Sequence, residues 1–142
     1  MKIVYTDMVA DLFHYGHVNY LKQIHDKYIK NTDNKLYVGI HHNDDVKIYK
    51  RIPILNMQER IKVISCCKYI DCIIPYAPLV VDKDYIKKHK LDIICIPNNR
   101  TEQEINSWYK YPKDNNMIQT FNYTSEISTS DIIKKIKNRT DL

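Results

Sequence analysis

Five short apolar runs, set apart by stretches of helical spacing, constrain this chain more than any other feature. Ile3-Val4-Tyr5 (within 2–6), 36–41, 70–75, 92–96 and 117–123 have the length of buried strands, the last with the weakest pattern. After the first run, Val18, Leu21, His25 and Tyr28 recur at helical spacing, so a helix begins near Gly16 or His17. Asn56 caps a second helix, with Glu59 placed for a capping box and Ile61, Ile64 and Cys67 on its apolar side. Asp82 to His89 reads as a short helix, and Ile132, Ile133 and Ile136 mark a last one capped by Ser128, Thr129 or Ser130. Residues 97–116 read as loop, with one helical turn around Glu102 to Trp108. Strands that alternate with helices dictate an α/β fold: an open five-stranded parallel sheet with helices on both faces. The 142 residues form one expected domain, 1–142, with no repeat or linker to divide it.

Sheets of this kind bind ligands beyond the carboxyl ends of their strands, near the switch in strand order. The first such end carries Asp11-Leu12-Phe13-His14-Tyr15-Gly16-His17-Val18-Asn19-Tyr20-Leu21. It sets two imidazoles at the mouth of a helix, where unpaired N–H groups and the positive end of the dipole favour an anion. His14 and His17 can hydrogen-bond phosphate oxygens there, provided that the chain kinks, for which Gly16 is suited. Lys50 and the Ser128 cap also leave carboxyl ends of expected strands, so three phosphate-friendly features converge on one rim. Zinc is disfavoured, because neither His25 nor the His41-His42 pair supplies a third ligand at matching spacing. No protein metal site is expected.

The net charge of +5 fits a polyanionic ligand, but the lysines are dispersed and no arginine-rich or aromatic–basic tract points to nucleic acid. Cys66, Cys67, Cys72 and Cys95 form no Cys-x-x-Cys pair and lie in or beside apolar runs, as buried free thiols of a reducing compartment do. No apolar run is long enough for a membrane span and no leader is evident. The expectation is a soluble, cytoplasmic protein without nucleic-acid or membrane partners.

The 11–17 stretch resembles the signature of the cytidylyltransferases, a branch of the His-x-Gly-His nucleotidyltransferases. Val38-Gly39-Ile40-His41, Tyr49-Lys50, Pro53-Ile54, Glu59-Arg60, Cys67-Lys68-Tyr69-Ile70-Asp71 and Ile127-Ser128-Thr129-Ser130-Asp131 continue the likeness in order. Ala77-Pro78-Leu79 and Lys88-His89-Lys90-Leu91-Asp92 are most similar to the ethanolamine- and choline-phosphate members. The resemblance implies a Rossmann-like fold and transfer of CMP from CTP to a phosphorylated alcohol of the phosphoethanolamine, phosphocholine or glycerol 3-phosphate class. It implies His14, His17 and Lys50 as catalytic residues, and Asp11, Arg60, Ile127, Ser128, Thr129 and Ser130 as the CTP-binding set. It further implies Mg2+ accompanying CTP, a role in phospholipid-headgroup synthesis and a homodimer. The long amphipathic tail of some choline-phosphate members is not seen, so membrane regulation is not expected.

The chain departs from that pattern at six places. Met8 stands for a glycine and Ala10 for an aromatic residue, and Asn98 and Asn99 replace aspartates after the fourth strand. Tyr123 and Glu126 stand where the family has the arginine and glycine of its closing motif, which removes one phosphate-gripping cation and adds a carboxylate. These changes leave two readings besides active transfer to an alcohol phosphate. One is a degenerate member that binds a nucleotide or partner without turnover; the other, disfavoured by the middle and closing motifs, is an adenylyltransferase.

Overall fold

The computed structural model describes residues 1–142. Its strands are β1 (Ile3–Met8), β2 (Lys35–His41), β3 (Cys72–Ala77), β4 (Ile93–Pro97) and β5 (Ile118–Phe121). All pair in parallel in the order β3-β2-β1-β4-β5, the Rossmann-like sheet expected from the alternation. The chain builds outward from β1 through β2 and β3, then crosses back to lay β4 on the other side of β1. The order reverses between β1 and β4, which fixes where a ligand cleft can open.

Strand alternation splits the apolar residues between two cores. Val4 and Met8 of β1, Leu36, Val38 and Ile40 of β2 and Cys95 of β4 join Leu21, Ile24 and Ile64 on one face. Ile3, Tyr5, Ile94 and Ile96 join Ile86 and Tyr109 on the other, so helices cover both sides. Among the cysteines only Cys95 is buried; Cys66 is exposed and the other two are half-buried, and all four are free thiols, which corrects the expectation of four buried ones.

Helix α1 spans Tyr15–Ile24 and runs into a π-helical turn, His25–Ile29. Its buried stripe is Tyr20, Leu21, Ile24 and Ile29, not the Val18, His25 and Tyr28 of the simple helical count. The wider π-turn adds one residue, so Ile29 takes the place that a fourth residue after Ile24 would have filled. Tyr20 bonds Thr6 at 2.8 Å, and Thr6 donates to the Cys95 carbonyl at 2.9 Å, tying α1 to β1 and β4 through buried polar groups.

A one-turn helix α2 (Asn43–Val46) follows β2, and α3 covers Met57–Ile64. The capping box at Asn56 and Glu59 forms as expected, with the Asn56 side chain accepting from the Glu59 amide at 2.9 Å and Glu59 accepting in return at 3.1 Å. Helix α4 (Lys83–His89) is capped by Asp82 and ends on Lys90 in the left-handed region. The 97–116 stretch holds two helices rather than one turn: α5 (Glu102–Trp108) and α6 (Lys110–Asp114). Pro112 concealed α6, although a proline is tolerated in a first turn where no amide bond is lost. Helix α7 spans Thr129–Asn138 from its Ser128 cap. No helix is long and apolar enough to cross a membrane.

Gly39 in the middle of β2 is required by space. A β-carbon there would lie 2.2 Å from the Tyr5 hydroxyl and 2.7 Å from the Ala77 β-carbon. Gly39→Ala is therefore expected to destabilise the fold by about 1–3 kcal/mol, the usual cost of overpacking a core. Urea unfolding checks this; an unchanged midpoint would contradict it.

Candidate functional site

Beyond the carboxyl ends of β1 and β4 lies a cleft lined by Asp7–Asp11, His14, Gly16, His17, Tyr20, Tyr49, Lys50, Pro97, Asn99, Arg100, Tyr123, Thr124 and Ile127–Thr129. Its position is the switch point of the sheet, and the loops after β1, β2, β4 and β5 all reach it.

The two histidines are built into the start of α1. His14 is the N-cap, and its Nδ1 accepts from the Gly16 amide at 3.1 Å. The Nδ1 of His17 accepts in turn from the His14 amide at 3.1 Å, completing a reciprocal capping box made of imidazoles. A ring nitrogen that accepts from a backbone amide carries no proton, so each neutral ring holds its proton on Nε2. The ring centroids are 4.0 Å apart, and Phe13 stacks on His17 at 5.3 Å. Burial, reinforced by the charges of His14 and Lys50, pushes the His17 pKa down to about 3. Burial also lowers the His14 pKa. The free cleft therefore presents two neutral Nε2–H donors at neutral pH.

Gly16 has no positive φ, so it does not supply the kink expected of it. It supplies room instead: a β-carbon would sit 2.9 Å from the His14 ring and 3.1 Å from Ile127. The left-handed residues of this turn are Ala10 and Leu12, with φ of 58° and 48°.

Lys50 reaches the cleft as expected. Partial burial, together with the positive charges of Arg51 and Arg100, lowers its pKa. Ile127, Ser128 and Thr129 also line the cleft. The Ser128 hydroxyl accepts from the Asp131 amide at 3.0 Å, and the Thr129 hydroxyl donates to the Asp11 carbonyl at 2.8 Å. Their side chains thus hold α7 in place, while the first amides of α7 have no intrahelical acceptor and suit an anion.

Three residues of the expected CTP-binding set serve the scaffold. Both carboxylate oxygens of Asp11 are engaged by the amides of Ile54 and Leu55, at 2.8 and 2.9 Å, so Asp11 anchors the loop before α3. Arg60 is fully buried and does not border the cleft. Its guanidinium donates to the carbonyls of Val9 at 2.6 Å and Leu55 at 3.2 Å and to the Asn43 side chain at 2.5 Å. A buried cation needs such acceptors, and most of the Arg60 N–H groups are engaged within the protein. Ser130 is exposed outside the cleft and accepts from Arg51 at 3.1 Å.

The departures from the resemblance also find their places. Met8 packs in the core while bordering the cleft. Asn98 fastens β4 to β5, with its amide donating to the Phe121 carbonyl at 2.8 Å and its side chain accepting from the Tyr123 amide at 3.0 Å; Asn99 alone of the pair lines the cleft. Glu126 is exposed in a separate shallow groove with Lys22 and Gln23, so no carboxylate is added to the cleft there. The sequence reading missed Arg100, a cleft-lining cation, and the buried Asp7. Nothing in the polar stretch after β4 marks Arg100 out in the sequence. Asp7 accepts from the Tyr109 hydroxyl at 2.6 Å and faces His41 Nε2 at 3.7 Å. Burial depresses the His41 pKa, but the Asp7 charge and the hydrogen bonds outweigh it and the net shift is upward.

The depressed His17 pKa carries a sign for stability. A neutral ring contributes fully above the unfolded pKa near 6.5, and that contribution is lost as pH falls toward the folded value of about 3. His17→Gln keeps an acceptor for the His14 amide but does not titrate. The melting temperature of the parent minus that of His17→Gln is therefore expected to fall between about pH 7 and pH 5. A difference that stays constant would contradict the neutral assignment.

Residues 6–135 match the family described as cytidylyltransferase-like. Choline-phosphate cytidylyltransferase 2 of Arabidopsis thaliana is 33% identical over 136 residues, which are 94% of this chain and 44% of that protein. Ethanolamine-phosphate cytidylyltransferase of Mus musculus is 29% identical over 144 residues, 96% of this chain and 34% of that protein. The chain thus spans less than half the length of these relatives. The crystal structure of the lipopolysaccharide core biosynthesis protein from Thermoplasma volcanium GSS1 superposes with a TM-score of 0.65 at 25% identity, covering 87% of this chain and 97% of that one. With a switch-point cleft, a helix start capped by His14 and His17, and a profile match over nearly its whole length, this chain belongs to the cytidylyltransferase-like family.

Proposed function

We propose that this chain transfers CMP from CTP to a small phosphorylated alcohol and releases pyrophosphate. The observation that carries this reading is the paired imidazole cap, which frees two Nε2–H donors on rings that line the switch-point cleft. In the reaction a phosphate oxygen of the acceptor attacks the α-phosphorus of CTP. A new P–O bond forms, the bond from the α-phosphorus to the oxygen bridging toward the β-phosphorus breaks, and pyrophosphate leaves with that electron pair. No enzyme nucleophile is needed, so the protein's task is positioning and charge stabilisation.

His14 and His17 donate to the α-phosphate and the departing oxygen, and the Lys50 ammonium grips the phosphates. The first amides of α7 bind the far end of the triphosphate. Magnesium belongs to this reading as the companion of CTP. Substrate phosphates rather than a protein cage usually hold that ion, and when bound there it would neutralise their charge. The names of the relatives, choline- and ethanolamine-phosphate cytidylyltransferases, support the acceptor class and a place in headgroup activation. A non-catalytic binder draws no support from Glu126, which lies outside the cleft.

The test is pyrophosphate release with CTP, ATP or GTP as donor and a panel of alcohol phosphates as acceptors, with CTP expected to be preferred. His14→Ala and His17→Ala should each lower turnover by about a hundred- to thousandfold, as lost donors at a developing charge do. Each also removes part of a helix cap, worth about 0.5–2 kcal/mol, so melting must confirm that the variants are folded at the assay temperature. Folded variants with parental turnover would contradict the roles given to the two rings.

A further inference from the structure

Lys50 stands on a lightly tied segment of the chain. Between Lys47 and Pro53, one side-chain hydrogen bond and one ring contact lead away from α2, and they belong to the two neighbours of Lys50. The Tyr49 ring tilts against Trp108 of α5, with centroids 4.9 Å apart. The Arg51 guanidinium donates to Ser130 Oγ, in the first turn of α7, at 3.1 Å. Ile48 and Ile52 are 74% and 61% exposed, whereas Arg51 is half-buried with its Nε covered. Arg51 thus lies back against the protein while the apolar residues around it face water.

The Arg51–Ser130 bond joins two phosphate-friendly parts of the rim that lie far apart in the chain. Lys50 lines the cleft, as do Ser128 and Thr129 at the start of α7, while Ser130 lies outside it. Asp11 already holds both partners from elsewhere, through the amides of Ile54 and Leu55 and through the Thr129 hydroxyl on its carbonyl. The bond from Arg51 to Ser130 closes this ring of contacts. Arg51 is also near enough for Lys50 to feel it: after burial, its charge is the first cause of the lowered Lys50 pKa. Two cations held together oppose each other in the free protein and act together on a polyanion. An exposed hydrogen bond adds little to stability, so the use of this one lies in where it puts its neighbour.

We propose that Arg51 is the positioning residue for Lys50: through Ser130 it ties the Lys50 segment to the first turn of α7, so that the ammonium and the α7 amides meet one polyphosphate at a fixed spacing. Arg51 acts through its neighbour and touches neither the nucleotide nor the reacting atoms. The assignment rests on the proposed CMP transfer, and it gives Ser130 a part in that reaction from outside the cleft.

The test measures calorimetric binding of Mg-CTP and of inorganic tripolyphosphate, together with pyrophosphate release, for the parent, Arg51→Ala, Ser130→Ala and the double variant. Each single variant is expected to weaken binding of both ligands and to raise the KM for CTP. For Ser130→Ala the loss is about threefold or more, the scale of one hydrogen bond. The double variant is expected to bind within about twofold of Arg51→Ala, because the two partners of one bond are lost together and their effects do not multiply. Ser130→Thr keeps the hydroxyl and should recover most of the loss. Parental binding by Ser130→Ala would mean that Arg51 acts by charge alone, and losses that multiply in the double variant would mean two independent effects; either result overturns the proposal. Binding of both ligands without pyrophosphate release sinks the transfer reading alone, and the same cycle, read on binding, still decides the tether. If neither ligand binds the parent, Lys50 grips no polyphosphate and both readings fall. Should Arg51→Ala not fold, the comparison of Ser130→Ala with Ser130→Thr decides.

Discussion

Two imidazoles take the backbone amides that the start of α1 leaves open, and the rest of the site depends on this contact. His14 caps the helix, His17 returns the bond to the amide of His14, and the pair fixes the exit of the chain from β1. The same bonds occupy both Nδ1 atoms, so the tautomer is set by the backbone and the protons stand on Nε2. Local folding and chemical competence are therefore one event here: a chain that caps this helix has also prepared its donors. Gly16 fits the design by its lack of a side chain, leaving room for the His14 ring on one side and Ile127 on the other. That second contact brings the closing loop before α7 against the histidine turn.

Buried charges hold the remaining walls. Asp11 binds the amides of Ile54 and Leu55, and Arg60 binds the carbonyls of Val9 and Leu55 from the other side. Between them they clamp the loop after Lys50 to the turn after β1. Such groups are expensive to bury and are tolerated when hydrogen bonds compensate them. They act on the cleft by fixing its frame, which keeps Lys50 facing the histidines across the switch point.

Much of the fold was legible because its sheet is buried on both faces. Strands such as 36–40 and 93–96 must be apolar throughout, and runs of that kind stand out in a sequence. The Asn56–Glu59 box was legible because capping is a local, chemically specific event. Helix α6 was not, since Pro112 and a polar composition imitate a loop. The π-turn at His25–Ile29 was hidden too, because it shifts the buried stripe by one residue without any special residue to announce it. In the site, His14, His17, Lys50 and the start of α7 were readable as a pattern. The scaffold bonds of Arg60 and Asp11 were not legible, because a charged residue beside a motif looks the same whether it meets a phosphate or a backbone. Arg100 was missed because it lies in a polar stretch, and only the fold reveals that it lines the cleft.

The central claim is that a neutral, pre-set imidazole pair receives the phosphates of CTP. Long-range 1H–15N correlation spectra of the histidine rings, recorded at pH 7 before and after addition of Mg-CTP, test it most directly. The account predicts the Nε2–H tautomer for both His14 and His17 in the free protein, and a shift of both Nε2 signals when the nucleotide binds. An Nδ1–H tautomer at either ring, or ring signals unmoved by saturating nucleotide, would contradict it.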